Sequence, residues 1–230
     1  MKKNVEGIVI NETNYGETSK ILNILTNDGY ISVMSKGSRT MKSKLRGISM
    51  KLIYAEFTIN YKEKGMSILV EGNLINSLKN IMTDFQKMTY ANKSINLVKN
   101  VLKENNELNL FGVLRDVLLK IDNGFNPQII YAILETKLLT YLGVKPNFSE
   151  CINCSSKDIL TFNLKYPGSV CHNCYDSGYI FEKNTLKLLK LFQSVDINKI
   201  DKLNITSNKV IEELDFFLKE YYEEYTGIYV

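Results

Sequence analysis

Two periodicities divide the chain. Through residues 5 to 72 the apolar positions fall in short runs rich in Val, Ile, Tyr and Phe: Val5–Ile10, Ile21–Thr26, Tyr30–Met34, Leu52–Tyr61 and Met66–Glu71. Turn residues at Tyr15-Gly16, Asp28-Gly29 and Lys64-Gly65 punctuate them, which predicts five strands. Asn27-Asp28-Gly29 predicts a hairpin between the second and third, and Lys62-Glu63-Lys64-Gly65 another between the fourth and fifth. Five short strands suit a small closed or nearly closed barrel, of the OB or SH3-like kind, better than a sandwich, which usually needs about seven. From about residue 77 the spacing becomes helical. Ile81, Phe85, Met88, Ile95, Val98 and Leu102 form one stripe, and Leu110, Leu114, Val117 and Ile121 a second. Asn126 as cap, Pro127 in the first turn, a stripe from Ile130 to Leu142, and Gly143 with Pro146 as stop mark a third helix. Further helices are expected from Asn184 or Thr185 to Phe192 and from Thr206 or Ser207 to Tyr225. The pattern thus predicts an α+β chain of two domains: a five-stranded barrel over 1–78 and a helical domain over 79–230, the latter with an irregular insertion at 147–183.

Composition fits a folded chain: 44% hydrophobic, 23% charged, 3 Pro and 13 Gly in 230 residues. No apolar run approaches the roughly 18 residues that cross a bilayer, and Glu6 interrupts the start before a signal-peptide core can form. A chain without membrane attachment, in the cytoplasm, is therefore expected. The net charge of +4 changes that picture only when it is divided. Residues 1 to 75 carry 11 Lys/Arg against 7 Asp/Glu, and residues 76 to 230 carry 18 of each. Lys36, Arg39, Lys42, Lys44, Arg46 and Lys51 fall together, with no acid between Asp28 and Glu56. A local field of one sign is the footprint of a polyanion-binding surface; a solvated basic loop is the competing reading. Tyr15, Tyr30, Tyr54 and Tyr61 are the aromatics available to stack bases beside it.

All four cysteines lie in the insertion, as Cys151-Ile152-Asn153-Cys154 and Cys171-His172-Asn173-Cys174. Two C-x2-C pairs 16 residues apart match a tetrathiolate zinc site, because each pair forms a tight knuckle and two knuckles complete one tetrahedron. Two disulfides are the rival reading, disfavoured where thiols stay reduced. Four thiolates leave the ion no open position, so such a zinc is structural, one per chain. His172, the only histidine, is expected beside the site or facing solvent. No catalytic arrangement emerges. Tyr15 to Lys20 and Ser35 to Arg39 lack phosphate-loop spacing and read as turns, and the acidic run Glu212, Glu213, Asp215, Glu220, Glu223 and Glu224 reads as the wet face of the last helix.

Several segments, in order and over nearly the full length, resemble the RecO family of bacterial DNA repair proteins. They are Glu6-Gly7-Ile8-Val9-Ile10, Tyr15-Gly16-Glu17, Leu25-Thr26, Ser35-Lys36-Gly37-Ser38-Arg39, Ser43-Lys44-Leu45-Arg46-Gly47, Leu142-Gly143-Val144-Lys145-Pro146 and the two cysteine pairs. The family often has paired glycines shortly before the third cysteine, where Pro167-Gly168-Ser169 stands here. The resemblance implies an N-terminal OB-fold that binds single- and double-stranded DNA and a helical domain with a four-cysteine zinc module. It implies a non-enzymatic recombination mediator that anneals complementary strands and, with RecR, assists RecA loading on DNA coated by single-strand-binding protein, in the cytoplasm at the nucleoid. Lys36, Arg39, Lys44 and Arg46 match the family's DNA-binding loop, Lys42 is basic within it, and Cys151, Cys154, Cys171 and Cys174 match its zinc ligands. Two other functions remain: a nucleic-acid-modifying enzyme carrying zinc for stability, and a protein-interaction adaptor that does not bind DNA.

Overall fold

The structure, a computed structural model, describes residues 1–229. Its chain divides into two compact units, Met1–Met88 with Leu102–Asn123, and Thr89–Val101 with Gly124–Val230.

In the first unit the strands are β1 (Lys2–Tyr15), β2 (Ser19–Thr26), β3 (Gly29–Ser35), β4 (Tyr54–Asn60) and β5 (Ser67–Asn76). They close a barrel in the order β1-β2-β3-β5-β4, sealed by a short parallel pairing of Val33 with Ser67 and Met34 with Ile68. That order makes the barrel OB-like. All five strands fall where the short apolar runs predict them, and β1 and β5 extend beyond those runs. Alternation explains the filling: Val5, Val9, Leu22, Ile24, Val33, Ala55, Phe57, Ile59 and Leu69 point inward and form the core. Gly7 faces the same interior between β2 and β4. A Cβ there would stand 2.5 Å from Ile24 Cγ2 and 2.8 Å from the Leu25 carbonyl oxygen. The second obstacle is backbone and cannot rotate away. Gly7→Ala is therefore expected to destabilise the barrel by about 1–3 kcal/mol, as overpacked cores do, with a lower melting temperature and unchanged metal content.

The outer face of the barrel is partly apolar. Leu25, Ile8 and Tyr54 lie side by side across β2, β1 and β4 and are buried, although strand alternation turns them away from the core. Phe111, the first residue of helix α3 (Phe111–Asp122), meets the Tyr54 ring at 6.3 Å, and the Tyr54 hydroxyl donates to Glu6. Asp122 at the far end of α3 accepts from the backbone N–H groups of Asn80 (2.9 Å) and Ile81 (3.1 Å), holding the single-turn helix α1 (Lys79–Met82). So α3, which follows the barrel by some 35 residues, packs within the barrel's own unit.

Helix α2 (Phe85–Glu104) contributes its middle to the second unit, which also holds α4 (Pro127–Tyr141), α5 (Lys183–Phe192) and α6 (Asn208–Thr226). Asn126 caps α4 as expected, its Oδ1 accepting from Gln128 N (3.0 Å) and Ile129 N (3.2 Å). Ser207 caps α6, and Gly227 in the left-handed region ends it. Within the insertion the chain forms a small hairpin, β6 (Ile159–Asn163) and β7 (Gly168–Cys171), which the sequence pattern does not predict. Strands of five and four residues carry too little periodicity to register. Aromatic contacts fasten the hairpin to α6: Phe162 meets Phe217 at 5.1 Å, and Phe148 meets both, at 5.1 and 5.7 Å.

One expected surface residue is inside. Glu213 does not belong to the wet face of α6; it is buried and accepts from Glu182 N (2.9 Å), the Thr185 hydroxyl (2.5 Å) and the Tyr179 hydroxyl (3.0 Å). A carboxylate placed at the start of α5 satisfies one open backbone donor and two hydroxyls and meets the positive end of the helix dipole, which offsets its burial. Among the described residues no helix is long and apolar enough to cross a membrane.

Candidate metal centre and nucleic-acid interface

The two C-x2-C turns come together although 16 residues separate them. The Sγ atoms of Cys151, Cys154, Cys171 and Cys174 all lie within 4.8 Å of one another, with Cys154 and Cys171 at 3.6 Å. All four are free thiols, so the disulfide reading does not hold. A tetrahedron with metal–sulfur bonds of about 2.3 Å has edges of about 3.8 Å, close to the spacing here. The local backbone builds each corner. Cys151 pairs with Ser169 beside β7, Ser155 N donates to Cys151 O (2.9 Å), and Cys174 N and Tyr175 N donate to Cys171 O at 3.2 and 3.0 Å. The pairs therefore sit on tight turns that point their sulfurs inward.

Gly168 permits this convergence. A Cβ on it would stand 1.9 Å from Ile152 Cγ2, inside the first knuckle. Ser169, the next residue, is fully buried, and its hydroxyl donates to Asn147 O at 3.0 Å. One glycine is enough here because only one of the two positions faces Ile152. His172 is exposed and stands outside the sulfur cluster.

The electrostatics of four crowded thiols call for a cation. Burial alone would raise Cys151, but backbone donors at Asn153, Cys171 and Cys154 outweigh it and lower the thiol to about 6. Sharing hydrogen bonds with Cys154 and Cys171 pushes Cys174 up to about 12. One thiolate forms readily, while Cys154 and Cys174 resist. A divalent ion at the centre removes that resistance, so the donor set fits a structural metal.

In the barrel unit, residues 36 to 53 join β3 to β4 as a chain of turns pinned at both ends. Thr40 N donates to Gly37 O (3.1 Å), Ser43 N to Thr40 O (3.2 Å) and Arg46 N to Ser43 O (3.2 Å). Gly37 opens the series in the left-handed region, φ +67°, where a side chain is strained. Below, the hydroxyls of Ser35 and Ser49 meet at 2.7 Å, and Leu45 and Ile48 pack on the barrel core. Above, Lys36, Arg39, Lys42, Lys44 and Arg46 are all exposed and in no ion pair among the described residues. The repeating three-residue turn sets Lys36, Arg39 and Lys42 in register. Arg39 is the best fixed, its backbone N donating to Thr18 O (2.8 Å) and its Nη1 to Gly16 O (2.9 Å), which ties the loop to the β1–β2 turn. Lys20 is spoken for by Glu12 at 2.9 Å.

The four candidate tyrosines separate. Tyr54 is buried against Phe111 and cannot stack a base, because its strand position turns it under α3. Tyr15 is exposed at the end of β1. Tyr30 and Tyr61 are exposed and line one open groove with Ser32, Lys62, Gly65 and Met66, between β3 and the β4–β5 turn. OB barrels use this part of their surface for oligonucleotides. Strand alternation alone could not tell Tyr30 from Tyr54, since both point out of the barrel and only α3 covers one.

A closed OB-like barrel with a basic loop is thus followed by helices and a cluster of four cysteines. The family described as Recombination protein O N terminal matches residues 1–78, and Recombination protein O C terminal matches residues 82–230. This chain belongs to the RecO family, and its role lies in DNA repair and recombination. Among curated relatives, the DNA repair protein RecO of Bacillus cytotoxicus is 33% identical over 100% of this chain and 94% of its own length. That of Bacillus pumilus is 31% identical and that of Bacillus subtilis 30%, each over 98% of this chain and 90% of its own length.

Proposed function

We propose that the chain is a non-enzymatic recombination mediator that binds DNA through its barrel and anneals complementary single strands. The observation that carries this reading is the basic loop: five exposed cations with no acid partner, held on a pinned series of turns at the mouth of an OB-like barrel. Phosphates of single- or double-stranded DNA are neutralised by Lys36, Arg39, Lys42, Lys44 and Arg46, and bases of a single strand stack on Tyr30 and Tyr61 in the groove between β3 and the β4–β5 turn, toward the other end of β3. Such contacts position DNA without reading sequence. Cys151, Cys154, Cys171 and Cys174 hold one zinc ion, which when bound fixes the β6–β7 hairpin and leaves no coordination site for substrate. The protein acts with RecR to assist RecA loading on strands coated by single-strand-binding protein, in the cytoplasm at the nucleoid. Family membership supports this part of the reading.

The test is the annealing rate of two complementary oligonucleotides, bare and coated with single-strand-binding protein, with and without this chain. Acceleration of both reactions, with the oligonucleotides recovered covalently unchanged, is expected. Covalent change in the presence of magnesium would favour a nucleic-acid-modifying enzyme, and no binding at physiological salt would favour an adaptor.

A further inference from the structure

The second unit is neutral as a whole in sequence, yet its positive charge is not evenly spread. No acid occurs between Glu182 and Asp196, and α5 carries Lys183, Lys187 and Lys190 in that interval. These positions, i, i+4 and i+7, share one helix face over about 10 Å. They line an open cleft of about 370 Å³ together with Lys157, which follows Cys154 by three residues, and with Phe148 and Leu186. All four lysines are exposed, and none is in an ion pair among the described residues. Asp158 also lines the cleft, so the cations outnumber it. Glu182, the nearest acid in sequence, is engaged by Lys209 at 3.1 Å.

We propose that this cleft is a second nucleic-acid surface, which holds the partner strand while the barrel loop holds the first. The inference rests on the annealing function proposed above and adds a site to it. Annealing brings two polyanions together, and a protein with one cationic track can neutralise only one of them. The lysines are set in a line along a helix instead of converging on a point, which suits successive phosphates of an extended strand better than a compact anion. The cysteine centre bears on this cleft as well, since Lys157 follows its ligand Cys154 by three residues.

The test uses the full, metal-loaded chain with Lys157, Lys183, Lys187 and Lys190 each changed to Gln, beside the chain with Lys36, Arg39, Lys44 and Arg46 changed to Ala. Metal content and melting behaviour confirm that each is folded. Protein bound to one immobilised oligonucleotide is offered a labelled, non-complementary one. Four phosphate contacts on a single strand correspond to a salt slope of about 3, or a loss of about 50-fold in affinity between 50 and 200 mM salt. The Gln variant is expected to keep first-strand affinity within about threefold, to lose second-strand capture with that salt-dependent component, and to anneal at least tenfold more slowly. Unchanged capture and annealing would overturn the proposal. So would loss of first-strand binding as deep as that of the loop variant, since the α5 lysines would then belong to a single shared site. Loss of binding to a short fluorescent acidic peptide, with second-strand capture intact, would make the cleft a peptide groove and overturn it as well. A wild-type chain that binds no oligonucleotide refutes the function proposed above, a result distinct from all of these because it appears before any variant is compared.

Discussion

Changing Lys36, Arg39, Lys44 and Arg46 together to Ala is expected to flatten the salt dependence of single-strand binding by about 3 in log–log slope. Each cation that neutralises a phosphate releases counterion, worth about 0.7 in slope on a single strand. At moderate salt the affinity falls, and it falls alike for unrelated sequences, because phosphate contacts carry no base information. Adding Lys42→Ala removes about 0.7 more. The fold survives, since all five side chains are exposed while the loop is pinned by Ser35, Leu45, Ile48 and Ser49, which stay in place. Of the single changes, Arg39→Ala reaches furthest, because its Nη1 contact with Gly16 O also ties the loop to the β1–β2 turn. Fluorescence titration of labelled oligonucleotides at several salt concentrations checks this. Unchanged slope and affinity would leave the loop as ordinary solvated charge and move the DNA surface elsewhere.

The second large effect is expected at the sulfur cluster. Cys171→Ser removes a ligand that is buried at the end of β7 and lies 3.6 Å from Cys154, leaving three thiolates around the ion. Structural zinc contributes on the order of 10 kcal/mol of apparent folding free energy in small peptides, so the insertion has much to lose. Metal release, with exchange of amide hydrogens and proteolysis spreading through 147–183, is expected, while the barrel keeps its melting transition. The wild-type ion should likewise leave as pH falls, because each thiolate must take a proton to release it. Metal analysis and hydrogen exchange are the measurements. Near-zero zinc in protein prepared without chelator would remove the reading altogether. The aromatic contacts of Phe162 and Phe148 with Phe217 limit the damage, since they hold part of the hairpin on α6 without metal.

Much of this was legible in the sequence, for reasons that differ by feature. The strands showed because short runs rich in Val, Ile, Tyr and Phe are bounded by turn residues such as Asp28-Gly29 and Lys64-Gly65. The cysteine centre showed because metal ligation fixes spacing within each knuckle. What stayed hidden depends on which surface meets which. The stripe of α3 announced a buried face, yet nothing in its period says that the face packs in the unit of the barrel. For the same reason Tyr54 looked as available as Tyr30. Glu213 lies in an acidic run that reads as solvated, and only the arrival of the α5 N-terminus, some 30 residues away in sequence, makes it an interior acceptor. Pro167-Gly168-Ser169 could be noted as a departure from paired glycines, but the clash that requires Gly168 is with Ile152, in the first knuckle.

The packing of α3 bears on how the chain matures during synthesis. The last barrel strand ends at Asn76, whereas Phe111 and Asp122, which cover Tyr54 and hold α1, come later. At roughly 5–20 residues per second, the stretch from the end of β5 to Asp122 takes about 2–9 seconds to make. Throughout that interval the newborn barrel carries Tyr54 without the ring that covers it. Chaperone holdases bind such surfaces transiently, so a released fragment ending near residue 80 should be retained by one, and a fragment that includes α3 should not.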